Sequence, residues 1–292
     1  MTLQEAIMLG IKLSIAVTVF AVGLEATMGQ ITYLFRHPRR FAKAILAIDI
    51  VMPVFVLLVL FLTHLPDPIR IALAALSVSP VPPLMPGKAK KAGGTEGYVV
   101  SLLVAAAVVA LVFVPLSVEL MGRIWGVEAH VPIATVVALM AMTVLGPLIA
   151  GVLVRVFLPD LAARVARPLA KLALLLLILC ALPVMVSAWS LIWSLVGNGT
   201  LMALAAFVLV GLAVGHFLGG PVEDDRTVLA IATASRHPGM AIAVATASFP
   251  EQKLVTPAVI MYLIVCGLVS LPYVRWRKRC AAATAHLHAA AN

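Results

Sequence analysis

Charge is what this chain of 292 residues has least of: Asp, Glu, Lys and Arg together make up 11% of it. Soluble domains carry roughly a quarter charged residues, so a fully water-facing surface cannot be built from this composition. Aromatics are scarce as well, at 6%, which leaves Leu, Val and Met as the ordinary wall material of any cavity. Cysteine is limited to Cys180, Cys266 and Cys280, odd in number and irregular in spacing. That pattern indicates neither a disulfide framework nor a metal site. Paired carboxylates, a His-rich cluster and a Ser–His arrangement at helical spacing are not evident either, so enzyme chemistry has no candidate constellation. Nor is there a large soluble domain through which a sensor would signal.

Apolar residues are what the chain has instead. Sixty-three per cent of it is hydrophobic and the mean hydropathy is +1.13, the composition of an all-α integral membrane protein. Apolar runs fall at about 5–28, 39–63, 68–87, 97–121, 131–157, 168–194, 199–219, 226–248 and 254–274. Each is near the roughly 20 residues that a spanning helix needs, which predicts nine transmembrane helices. The first run has no basic region before it and no small-residue cleavage motif, so it is expected to be a retained helix.

The net charge of +9 reads as topology rather than as affinity for nucleic acid. Sixteen basic residues belong to one set of loops and ends: Arg36, Arg39, Arg40, Lys43, Lys88, Lys90, Lys91, Arg155, Arg164, Arg167, Lys171, Arg226, Arg275, Arg277, Lys278 and Arg279. The other set holds three, Arg70, Arg123 and Lys253. The positive-inside rule then places the N-terminus outside and the C-terminus in the cytoplasm, in a bacterial-type inner membrane. Lys12 snorkels to the outer interface, Glu25 and His216 read as interface residues, and 274–279 reads as a cytoplasmic anchor. One membrane domain, 1–280, is expected, with a disordered cytoplasmic tail at 281–292.

Two of the spans cannot be continuous helices. The third contains Ser79-Pro80-Val81-Pro82-Pro83-Leu84-Met85-Pro86-Gly87, and each proline removes a helical donor and clashes with the preceding turn. The eighth contains Thr233-Ala234-Ser235-Arg236-His237-Pro238-Gly239. A mid-membrane arginine costs roughly 2.5–3.5 kcal/mol on insertion scales, so it faces protein or water. Broken backbone at that depth survives only where protein or a cavity surrounds it. Spans five to nine form a five-helix unit whose fourth helix is broken; spans one to four form the same unit without its first helix. The broken helices run in opposite directions, as an inverted repeat of about 1–125 and 126–280 requires. Such transporters hold substrate and coupling ion where discontinuous helices meet.

Several stretches resemble the bile acid:sodium symporter family. They are Gly23-Leu24, Phe35-Arg36-His37-Pro38, Met52-Pro53 and the run Gly146-Pro147-Leu148-Ile149-Ala150-Gly151-Val152-Leu153-Val154-Arg155. Helix eight is similar to that family's second crossover helix, and 79–94 is placed like the first. The resemblance implies a panel domain, a core domain and two broken helices crossing in the core. In sodium-coupled members the second crossover carries an acid, a Gln and an Asn; the aligned positions here are Ala232, Arg236 and His237. Where their first crossover supplies Ser and Asn ligands, this chain has Met85 and Pro86. Sodium needs hard oxygen ligands, as calcium and magnesium do. No cofactor is therefore expected; Na+ stands on family resemblance alone, with its ligands missing.

These readings predict a secondary transporter moving a small organic anion by alternating access. The expected substrate-binding residues are Ser79, Pro82, Pro83, Met85, Pro86, Thr233, Ser235, Arg236, His237, Pro238 and Gly239. Coupling or gating falls to Asp49, Arg236 and His237. Asp49 lies mid-span, four residues before Pro53, where it is either protonated or paired. Arg236 is its natural partner, in a pair that is either structural or part of a gate. His237 either changes protonation in a proton-coupled cycle or donates a hydrogen bond to substrate. A passive facilitator or exchanger is the alternative within transport; a transport-inactive sensor or scaffold is the alternative outside it.

Overall fold

A computed structural model describes residues 3–126 and 129–290. The main helices are α1 (Leu3–Glu25), α2 (Pro38–Leu62), α3 (Asp67–Val78), α4 (Met85–Lys91), α5 (Glu96–Trp125), α6 (Ile133–Phe157), α7 (Pro159–Ser187), α8 (Thr200–Leu218), α9 (Glu223–Ala234), α10 (Pro238–Ser248) and α11 (Val255–Ala290). Among the described residues, eight helices are long and apolar enough to cross a membrane, with α9 and α10 counted as one. The span expected at 68–87 is two pieces of 12 and 7 residues, α3 and α4, each too short to cross alone. The protein is thus an all-α, multi-spanning membrane protein. Its outer faces are apolar: Leu172, Leu175, Leu179, Leu182 and Val186 of α7 are all exposed, as lipid contact requires.

Hydrophobic burial cannot drive one apolar helix onto another in lipid, so close packing has to do so. α1 packs against both α6 and α7. Gly23 of α1 meets Gly151 of α6 with no room between them: a Cβ on Gly23 would overlap Leu148 O, and one on Gly151 would overlap Phe20 O. α8 lies on α9 in the same way. Gly211, Gly215 and Gly219 recur every four residues along one face of α8. A methyl on any of them would overlap backbone atoms at Ala234, Ala230 or Arg226 respectively. This stripe sets α9, and with it the second break, at a fixed depth.

Several ion pairs join segments distant in the chain. Arg40 meets Asp225 at 3.0 Å, while Lys90 meets Glu25 and Glu96, each at 3.3 Å. Arg277, within the stretch 274–279 expected to be a cytoplasmic anchor, is 4% exposed. It donates to Thr227 Oγ1 at 2.7 Å and to the Glu223 carboxylate at 3.1 Å, fastening α11 to the start of α9. Glu25 is exposed, His216 bonds the Tyr273 hydroxyl at 2.9 Å, and Lys12 is exposed. α7 begins at Pro159, earlier than the apolar run at 168, because Ala162 and Ala166 pack with Leu24. α11 runs through Ala290, past the point where an unstructured tail was expected; the Ala-rich 281–290 stretch favours helix.

Candidate functional site

The first break is a consequence of missing donors. Pro80, Pro82 and Pro83 have no N–H, so the carbonyls of Leu76, Val78 and Ser79 lose their α-helical partners. α3 stops at Val78. Ser79 N–H closes the last turn onto Leu76 O at 3.1 Å, and the Ser79 hydroxyl donates to Ala75 O at 2.6 Å. The second break follows from Pro238, which offers no N–H to Ala234 O. The Tyr262 hydroxyl, from α11, donates to that carbonyl at 2.9 Å and accepts from Arg236 N–H at 2.8 Å. One side-chain oxygen thereby satisfies two buried backbone groups. α10 then restarts with Pro238 in its first turn and His237 as its cap, His237 Nδ1 accepting from Met240 N–H at 3.2 Å.

The two breaks are bonded to each other. His237 N–H donates to Pro80 O at 2.9 Å. The Arg236 guanidinium donates through Nη1 to Ser79 O at 3.0 Å and through Nη2 to Ile48 O at 2.8 Å. It lies 5.9 Å from the centre of the Phe207 ring, within cation–π range. Arg236 is 1% exposed, and its buried Nε has no partner among the described residues. One side chain therefore joins α2, the first break, the second break and α8.

Both outer contacts of this junction come from π-helical turns. The turn at Leu46–Val51 lies just before Pro53, and that at Ala141–Leu145 just before Pro147. Pro53 has no N–H for either Asp49 O, its α-helical acceptor, or Ile48 O, its π-helical one, and the Ile48 carbonyl turns to Arg236. In the other turn, Thr143 Oγ1 lies 3.3 Å from His237 Nε2. Because Nδ1 accepts from Met240, the ring hydrogen sits on Nε2 and is donated to Thr143, whose hydroxyl donates onward to Leu139 O at 2.7 Å. Both His237 nitrogens are committed, to a neutral ring.

Of the residues expected at the site, Ser79, Arg236, His237, Pro238 and Gly239 meet at this junction. Gly239 lies close against the ring there, since a Cβ on it would stand 3.1 Å from His237 Cε1 and the imidazole would have to shift slightly. Asp49 is 9% exposed on the same turn as Ile48, yet Arg236 takes the Ile48 carbonyl and makes no direct ion pair with the Asp49 carboxylate among the described residues. Thr233 closes back onto Leu229 O at 2.8 Å, and the Ser235 hydroxyl lies 3.9 Å from Cys266 Sγ. Met85 packs in an apolar cluster with Val81, Ala89 and Ile231; Pro83 and Pro86 are buried and Pro82 is half-buried. Thr143, Tyr262, Phe207 and the Ile48 carbonyl were missed. Pro53 and Pro147 were the signal for the two turns, because a mid-span proline always strands a carbonyl.

The arrangement places a dehydrated cation and a polarised imidazole where two helix interruptions touch. Fold and site together define a multi-spanning membrane protein built on paired discontinuous helices. Residues 12–195, more than half of the chain, match the Sodium Bile acid symporter family, and the protein belongs to that family of transporters. The matched region includes the first break and both π-helical turns; Arg236 and His237 lie beyond it. No curated protein matches the chain.

Proposed function

We propose that the protein is a secondary transporter that carries a small organic anion across the cytoplasmic membrane by alternating access, without sodium. The observation that carries this reading is the position of Arg236, whose guanidinium holds carbonyls of α2 and of the first break while its own segment forms the second break. A fixed guanidinium there takes the electrostatic place of a bound cation. Paired discontinuous helices near mid-membrane are the arrangement in which transporters bind substrate, and family membership supports that use of them.

On this reading α3 and α4 form a ninth crossing, the chain is an inverted repeat divided near residue 125, and α1, α6 and α7 form a panel against a core of the remaining helices. The N-terminus lies outside. Arg236 exchanges its Ser79 or Ile48 carbonyl for a substrate carboxylate or sulfonate as core and panel rock; Ser235 and His237 stand beside it, and Asp49 faces it as a gate. The commitment of both His237 nitrogens favours a cycle in which that ring stays neutral over a proton-coupled one. Uptake of radiolabelled carboxylates into proteoliposomes tests the proposal. Uptake should proceed equally in sodium and in potassium, and Arg236→Ala should abolish it without loss of the folded monomer peak. A steep dependence on a sodium gradient, or normal transport by folded Arg236→Ala, would overturn it.

A further inference from the structure

Several cations of the basic loops are answered within the protein. Arg40 pairs with Asp225, Lys90 with Glu25 and Glu96, and Arg277 with Glu223. Arg155 donates to the carbonyls of Leu24 and Glu25. Arg164, Arg167 and Lys171, in the first half of α7, are not answered: all three are exposed and make no hydrogen bond or ion pair with the described residues. Asp160, one turn before Arg164, is exposed as well and pairs with none of them.

The three lie together on the lipid-facing side of α7. At about 3.6 residues per turn, Arg164, Lys171, Leu175 and Leu182 share one face, with Arg167 and Leu179 on its flanks. The cations cover about 10 Å of the helix axis, and the exposed leucines continue the stripe beyond them. Pro168 sits inside the helix in the middle of the cationic stretch, and it is exposed. It has no N–H for Arg164 O, so that carbonyl loses its helical donor beneath an exposed ring. Positive charge, a stranded acceptor and an apolar ridge thus follow one another along a single face. On α11 the exposed Arg275 and Lys278 also flank a proline, but the carbonyl that Pro272 strands, Leu268 O, lies two turns before Arg275.

We infer that this face of α7 is a binding site for an anionic phospholipid with a hydroxylated headgroup, of the phosphatidylglycerol kind. Its phosphate lies among Arg164, Arg167 and Lys171, a headgroup hydroxyl donates to Arg164 O, and an acyl chain runs along Leu175, Leu179 and Leu182. Basic clusters at the membrane surface attract anionic lipid; the stranded carbonyl adds a preference among anionic lipids that charge alone does not supply. A zwitterionic headgroup brings its own cation against the three of the protein, and free phosphate has nothing to set against the leucines. The site requires only that α7 stand in a bilayer, so it does not depend on the transport cycle.

Native mass spectrometry of the full chain in detergent micelles, titrated with single lipids, tests the site. Phosphatidylglycerol should bind about fivefold more tightly than phosphatidylmethanol, which has the same charge and no headgroup hydroxyl, and more tightly still than phosphatidylcholine. The double variant Arg164→Gln, Arg167→Gln should weaken phosphatidylglycerol about fivefold or more, whereas Arg275→Gln with Lys278→Gln should change it less than twofold. Pro168→Ala returns a donor to Arg164 O and should erase the preference over phosphatidylmethanol while the charge stays intact. Glycerol 1-phosphate should not displace the lipid. Equal binding of phosphatidylcholine, equal losses in the two double variants, a preference that survives Pro168→Ala, or displacement by glycerol 1-phosphate would each overturn the inference. The substituted side chains are exposed, and an unchanged melting midpoint without added lipid confirms that each variant is folded.

Discussion

Tyr262 shows how much a single atom carries at the crossing. Its hydroxyl answers both Ala234 O and Arg236 N–H, which Pro238 and the break have left without helical partners. Tyr262→Phe keeps the ring against Phe207 but leaves two buried backbone groups unpaired. Each costs about 1–3 kcal/mol, so a loss of about 2 kcal/mol or more is expected, measured as the midpoint of unfolding in mild detergent. Cys266 Sγ, 3.6 Å from Ala234 O, offers only weak relief. Thr143→Val tests the neighbouring bond: it removes the acceptor of His237 Nε2–H while keeping the shape, and should slow uptake with a smaller loss of stability than Tyr262→Phe. At this scale the sequence was half legible. Arg236 and Pro238 announced the site because charge and proline are conspicuous in an apolar run. Tyr262, in the last helix, looked like any membrane aromatic; its value comes from facing one stranded carbonyl 28 residues earlier.

Between elements, the glycine stripe of α8 is the determining contact. Gly215 sits where a Cβ would lie 2.5 Å from both Ala230 Cα and Leu229 O. Gly215→Ala must therefore push α9 away, and overpacking of this kind costs about 1–3 kcal/mol. Because α9 carries the second break, uptake should fall with stability. Gly267→Ala is the matched control: no atom lies within 4 Å of its Cβ position, so a neutral or slightly stabilising change is expected in the same melting experiment. The breaks themselves were legible, because prolines at 80, 82, 83 and 238 dictate which carbonyls go unpaired. Which donor reaches each carbonyl depends on helices distant in the chain, and no local pattern in Ile48 or Pro80 reveals that.

At the scale of the molecule, the all-α membrane class and the eight long apolar helices followed from composition and from the spacing of apolar runs, while the ion pairs between distant segments did not. Lys90 was read as one of several orientation charges, yet it reaches Glu25 on α1 as well as Glu96 on α5. In the proposed cycle that contact closes one end of the interface between panel and core. Exposed pairs of this kind contribute at most about 1 kcal/mol, enough to shift a two-state balance about fivefold. Lys90→Glu should open that end, raising the labelling rate of a cysteine placed there by up to about fivefold, and Glu25→Lys in the same chain should restore much of the original rate.

Arg236 has an electrical consequence. It belongs to the chain and keeps one of its two carbonyl partners, Ser79 or Ile48, when it takes the substrate, so in the proposed cycle its charge is not released with the cargo, and a monoanion leaves unaccompanied. Each 100 mV of membrane voltage is worth about 2.3 kcal/mol per elementary charge, a ratio of roughly 50 in concentration, and with the cell interior negative it favours the outside. A potassium diffusion potential imposed on proteoliposomes should accelerate uptake when the lumen is positive and suppress it when the lumen is negative. Left to the resting potential of a cell, such a carrier would run as an exit route for its substrate.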